Sequence, residues 1–121
     1  MSLCILAGGK SIALAVSVFS LSWTHSVQKT QWREDWAVTP AGLQLTQAAV
    51  KGSGAGMEPG DDAVLKGGWW VWAPKLPAQP SLRLAASGLT PSAWRLCHAN
   101  GCLDLGSEVG EAVVLSRCPG P

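Results

Sequence analysis

From Phe19 to Gln28 the chain alternates strictly: Phe19, Leu21, Trp23, His25 and Val27 occupy one parity, and Ser20, Ser22, Thr24, Ser26 and Gln28 occupy the other. A two-residue period places successive side chains on opposite faces, so this segment reads as a β-strand with one packed face and one wet face. No stretch carries a competing 3.6-residue apolar period, whereas period-2 runs recur between turn residues. The pattern predicts an all-β, antiparallel sandwich or small barrel of about eight short strands, with no long helix. A length of 121 residues leaves room for one core, so residues 1–121 read as a single β domain. Hydrophobic residues make up 47% of the chain and charged ones 14%, which supports a packed interior rather than disorder.

The alternation also suggests a strand register. Ile12, Leu14 and Val16 share a parity that shifts near Ser17, as a turn or bulge would cause. Trp32, Glu34, Trp36 and Val38 form the next strand, Thr39-Pro40-Ala41-Gly42 is a turn, and Leu43, Leu45, Gln47 and Ala49 follow, which suggests a meander. A four-residue loop Gln28-Lys29-Thr30-Gln31 would set Val27 opposite Trp32, His25 opposite Glu34, Trp23 opposite Trp36 and Leu21 opposite Val38. The second turn would then place Leu45 beside Trp36 and Gln47 beside Glu34. Apolar rows stack under this register, with one polar row, His25-Glu34-Gln47, between them.

Farther along, Gly52-Ser53-Gly54-Ala55-Gly56 breaks the strand, and Met57 to Gly68 reads as loop ending in a Gly67-Gly68 turn. Trp69-Trp70-Val71-Trp72 puts bulk on both faces, as a strand between layers or at an interface requires. Pro74, Pro77 and Pro80 exclude a regular element until Leu82-Arg83-Leu84-Ala85. With His98-Ala99-Asn100-Gly101 as loop, Cys97 faces Cys102, Leu96 faces Leu103, Arg95 faces Asp104 and Trp94 faces Leu105. Ala112 to Arg117 supplies the last strand.

Charge excludes one class of function. The formal net charge is +1 and Lys and Arg form no cluster, so the electrostatic footprint for nucleic acid is missing. An imidazole opposite a carboxylate, as in the His25-Glu34 pair, can form a charge-assisted hydrogen bond that suits either a structural network or proton handling. Ser26 is not a nucleophile for His25, because strand neighbours point to opposite faces. Cys97 and Cys102 around His98 offer too few ligands for zinc, so no metal and no cofactor is expected. Directly opposed cysteines have the short separation a disulfide needs, which makes Cys97–Cys102 a candidate bridge alongside the free-thiol alternative; Cys4 with Cys118 is a second pair. Gly52 to Gly56 reads as a tight backbone passage or an anion-binding nest. Asp61-Asp62 lacks calcium-loop spacing and reads as a solvated turn. The seven Trp residues divide between core packing and ligand or partner contact.

Three segments carry a resemblance: Trp23-Thr24-His25-Ser26-Val27-Gln28-Lys29, Trp32-Arg33-Glu34-Asp35-Trp36, and Gly52-Ser53-Gly54-Ala55-Gly56-Met57-Glu58-Pro59. In these the chain resembles an uncharacterised bacterial domain family, DUF1850, whose members are often encoded beside permeases of tripartite ATP-independent periplasmic transporters. The resemblance implies an accessory role in solute uptake, with His25, Ser26, Lys29, Glu34, Gly54, Gly56 and Met57 as the motif residues, and no known reaction. It also implies a membrane anchor that places the domain outside the cytoplasm, as four cysteines favour. The Leu3 to Ala7 run is too short for a secretory or spanning segment, so a chain truly starting there would be cytoplasmic.

The leading expectation is a non-enzymatic accessory or ligand-binding module, with a small anionic solute and a permease as partners. Its candidate binding residues are His25, Ser26, Lys29, Glu34, Gln47, Ser53, Gly54, Gly56 and Met57. The rivals are a small hydrolase or isomerase using His25 as base oriented by Glu34, and a structural subunit docking on a permease through Trp69 to Trp72.

Overall fold

The computed structural model describes residues 1–24, 30–51, 62–86, 94–106 and 110–119. These form eleven strands: β1 (Leu3–Ala7), β2 (Lys10–Leu14), β3 (Val18–Thr24), β4 (Gln31–Thr39), β5 (Gly42–Lys51), β6 (Val64–Lys66), β7 (Trp69–Trp72), β8 (Ser81–Leu84), β9 (Trp94–His98), β10 (Gly101–Leu105) and β11 (Val113–Arg117). The strands make two antiparallel sheets, in the orders β2-β1-β11-β8 and β10-β9-β3-β4-β5-β7-β6, that are not closed into a barrel. No helix occurs among the described residues.

The strand count exceeds the expected eight. The apolar run Leu3 to Ala7 is β1, a central strand of the small sheet with Leu3 and Ile5 fully buried. Gly8 and Gly9 turn the chain into β2 with φ of 57° and 78°, a region open to glycine and costly for other residues. Three-residue β6 falls inside the segment read as loop, being too short to show a period.

The sheets meet through their inner faces. Leu3, Ile5, Leu84, Val113 and Leu115 of the small sheet pack with Phe19, Leu21, Trp36, Val38, Leu43, Leu45, Leu96 and Leu105 of the large one. Each fully buried leucine contributes about 1.5–3 kcal/mol, which is why the alternating residues commit one face of every strand to this seam. Gly42 sits where the layers approach closely. Leu43 and Gln79 exchange backbone hydrogen bonds of 2.8 and 2.7 Å, and a Cβ on Gly42 would run into the Gln79 carbonyl.

The hairpin of β9 and β10 has the expected partners: Cys97 with Cys102, Leu96 with Leu103, Arg95 with Asp104 and Trp94 with Leu105. The meander β3-β4-β5 is also present, with Val38 opposite Leu43 and Trp36 opposite Leu45. Its other expected pairs are wrong. Trp23 lies opposite Trp32, Leu21 opposite Glu34 and Phe19 opposite Trp36, a slip of four residues from the expected register. An even slip keeps every side chain on its own face, so the alternation cannot resist it. In β5 the register shifts between Asp35 and Trp36, which leaves Thr46 as an extra residue. Beyond it Ala48 and Val50, not Gln47 and Ala49, share the inner face with Leu43 and Leu45.

Candidate functional site

The slip and the bulge together dismantle the expected polar row. Glu34 lies between Leu21 of β3 and Ala48 of β5, while Gln47 lies opposite Asp35 on the other face of the sheet. His25, Ser26, Lys29, Ser53, Gly54, Gly56 and Met57 fall outside the described residues. The position opposite Glu34, where the expected register had His25, is occupied by Leu21.

Glu34 is instead an acid on the greasy side. Burial pushes its pKa above the ordinary value, because water no longer solvates the charge; the Trp36 indole, whose Nε1 donates to Oε1 at 3.2 Å, pulls the other way less strongly. A neutral carboxyl still accepts that hydrogen bond. Beside it, Trp23 stacks on Trp32 with centroids 6.3 Å apart, contacts Trp94 at 4.8 Å, and Trp32 meets Trp72 edge-on at 6.4 Å. Trp94 Nε1 donates to the Ala85 carbonyl at 2.9 Å, whereas the buried indole N–H groups of Trp32 and Trp70 have no acceptor among the described residues.

The opposite face of the large sheet is built differently. On β3 the small side chains Ser20, Ser22 and Thr24 point outward and are half-buried. Longer side chains rise on both sides. Ser22 is flanked by Arg33 of β4 and Arg95 of β9, and Ser20 by Asp35 and Cys97. Two strand spacings separate the arginine Cα atoms, about 10 Å, so both guanidiniums can close over Ser22. A row of short hydroxyls between taller rows makes a furrow.

Two cavities lie along it. One, of about 490 Å³, is lined by the polar residues Ser22, Thr24, Gln31, Arg33, Arg95 and Asp104 and by the indoles of Trp23, Trp32 and Trp69. The other, of about 450 Å³, is lined by Ser20, Arg33, Asp35, Thr46, Cys97 and His98 together with the apolar Val18, Phe19, Trp36 and Ala99. Arg33 borders both. Its Nε donates to Asp35 Oδ1 at 3.2 Å, and its terminal amino groups make no hydrogen bond among the described residues. Asp35 is fixed in turn by Gln47 Nε2 at 3.3 Å, and its carbonyl accepts from Thr46 Oγ1 at 3.0 Å. The bulge residue therefore helps to hold the carboxylate that orients Arg33. Lys51, whose ammonium lies 5.9 Å from the Trp69 ring, adds positive charge nearby. The arrangement can bind an anion through charge-assisted, two-pronged hydrogen bonds.

Of the expected site residues, Gln47 reaches this face and Glu34 does not. The residues that make the furrow, Ser22, Thr24, Arg33 and Arg95, were absent from the expected site, although the unbroken polar parity from Ser20 to Gln28 and the outward Arg95-Asp104 pair both marked that face. Cys97 and Cys102 form a disulfide with Cα atoms 4.1 Å apart, and Cys4 and Cys118 form another at 4.9 Å. Among the described residues no three His, Cys, Asp or Glu side chains group as a metal site. The strand Trp69–Trp72 lies within the large sheet between β5 and β6, with all four residues half-buried.

No curated protein and no solved structure matches the chain. A family model described as a domain of unknown function, DUF1850, matches residues 19–105. The match takes in every strand of the large sheet together with β8, while β1, β2 and β11 of the small sheet lie outside it. Furrow, bulge and tryptophan cluster all fall within the matched span, and the chain belongs to the DUF1850 family.

Proposed function

We propose that the chain is a non-enzymatic module that binds a small anionic solute in the outer furrow of its large sheet. One observation carries the reading: Arg33 and Arg95 stand on either side of Ser22 in the sheet, and all three line a cavity of about 490 Å³, within the size range of small-molecule sites. Two disulfides suit an oxidising compartment, so the module works on the extracytoplasmic side. The context implied by the family resemblance makes it an accessory to a tripartite ATP-independent periplasmic transporter, handing its solute to the permease or sensing it there.

The test is a thermal-shift screen of organic acids and amino acids on the wild type and on Arg95→Gln in parallel. Arg95 is exposed, and its carboxylate neighbour Asp104 makes no ion pair with it among the described residues, so the substitution spares the fold. Acids that raise the wild-type melting temperature and leave Arg95→Gln unmoved support the reading, since a ligand stabilises only the state that binds it. Equal shifts in both proteins, or no shift with any acid, overturn it.

A further inference from the structure

The furrow continues past the arginines. Ser20 follows Ser22 on the same outward parity, one strand repeat farther on, and opens into the second cavity beneath Asp35 and His98. We infer that the furrow holds two consecutive subsites and takes a short acidic saccharide, a uronate-containing disaccharide or longer, laid along β3; this rests on the anion-binding reading and names its ligand class.

Length is the first argument. From Ser20 to Thr24 the floor spans about 13 Å at the rise of an antiparallel strand, and cavities of about 490 and 450 Å³ lie end to end along it with Arg33 shared between them. A compact solute would fill one and leave the other.

Chemistry is the second. Strand β3 is interior, paired with β4 on one side and β9 on the other, so its main-chain donors and acceptors are engaged in the sheet. An extended peptide gains affinity by adding a strand at a sheet edge, which this floor does not offer. Recognition must come from side chains alone. Ser20, Ser22 and Thr24 carry hydroxyls that can donate or accept, and Gln31 an amide that does both, which matches a polyhydroxylated ligand. The two guanidiniums receive the carboxylate of an acidic sugar, and the lining residues Trp23, Trp32 and Trp69 supply aromatic surface for the apolar face of a ring. The second cavity has a different charge, with Asp35 and His98 in place of a second arginine, so only one end of the ligand needs to be anionic.

Isothermal titration of the intact chain with galacturonate, 1,4-linked digalacturonate, neutral maltose and triglutamate tests this. Digalacturonate should bind at least tenfold tighter than galacturonate, and maltose should bind weakest. Ser20→Val, a substitution suited to a strand, should erase the disaccharide's advantage, with a urea midpoint equal to that of the wild type as its folding control. His98→Ala should reduce the same advantage. Equal affinity for the one-ring and two-ring acids would overturn the paired subsites while the anion-binding reading stands. Tighter binding of triglutamate than of digalacturonate would overturn the saccharide class in favour of acidic peptides. Failure of all these acids and of every acid in the thermal screen would remove the anion-binding reading as well.

Discussion

The two faces of β3 share one backbone and do opposite work. Inward, Phe19 and Leu21 are almost fully buried against the small sheet; outward, Ser20, Ser22 and Thr24 stay half-buried beneath taller neighbours. The inner face carries the stability and tolerates little change of volume, because close packing leaves no room for adjustment. The outer face carries the proposed site and contributes little to folding, because its hydroxyls exchange water for other polar partners at small net gain. Glu34 is the exception on the inner side, an acid among leucines and tryptophans that keeps a partner in Trp36.

The sharpest challenge to this division lies in the disulfides, which staple the molecule outside its apolar seam. The Cys4–Cys118 bridge closes a loop of 114 residues and should contribute about 5 kcal/mol in the chain-entropy model, against about 2 kcal/mol for the five-residue separation of Cys97–Cys102. Urea unfolding of Cys4→Ser/Cys118→Ser and of Cys97→Ser/Cys102→Ser checks the order. If the short bridge matters more, the covalent link between the chain's ends is not what holds the small sheet, and β1 and β11 must be secured by packing alone.

A second comparison works on adjacent positions of one strand. Leu21→Ala should cost about 2–5 kcal/mol, as cavity-forming changes at fully buried leucines do, and leave affinity per folded molecule intact. Ser22→Val should change stability by less than about 1 kcal/mol and lower acid affinity at least tenfold, by filling the space between Arg33 and Arg95. Urea midpoints and titration of both variants decide it. A large stability loss at Ser22 would mean the outer face is structural after all.

The smallest expected effect concerns Glu34. Folding holds its pKa above the unfolded value, so its contribution to stability is full at acidic pH, below the unfolded carboxyl's range, and is lost as pH rises through the folded pKa. Glu34→Gln keeps an acceptor for Trp36 and removes the charge. Its melting temperature should exceed wild type at pH 7 by roughly 3–6 °C, the shift that about 1 kcal/mol gives in a domain of this size, and match it at pH 4. Equal differences at the two pH values would show that desolvation of the carboxylate is not the cause.

Much of this was legible in the residues. Ala99 and Asn100 lie between paired His98 and Gly101, so the β9-β10 hairpin had one register that kept apolar pairs on one face and Arg95 beside Asp104 on the other. The β3-β4 hairpin lacked such a marker. Trp23 can face Trp36 or Trp32 with no side chain changing sides, and tryptophan is a good partner in either case. The stacking of Trp23 on Trp32 and the contacts of Trp23 with Trp94 and Trp32 with Trp72 occur only in the observed register, and they involve strands far apart in sequence. The bulge at Thr46 was equally hidden, since Gln47, Ala48 and Ala49 carry no alternation strong enough to reveal a change of parity.

By itself, then, the order of residues determined that this chain is made of strands and which side of each strand seeks the interior, because a two-residue period is a local property that burial enforces residue by residue. The tertiary structure alone decided which residues stand opposite one another. Register is a contest among whole-sheet alignments that differ by even slips and single insertions, and its outcome is settled by contacts between distant strands: it sent Glu34 into the apolar side beside Leu21, and it set Arg33 and Arg95 on either side of Ser22.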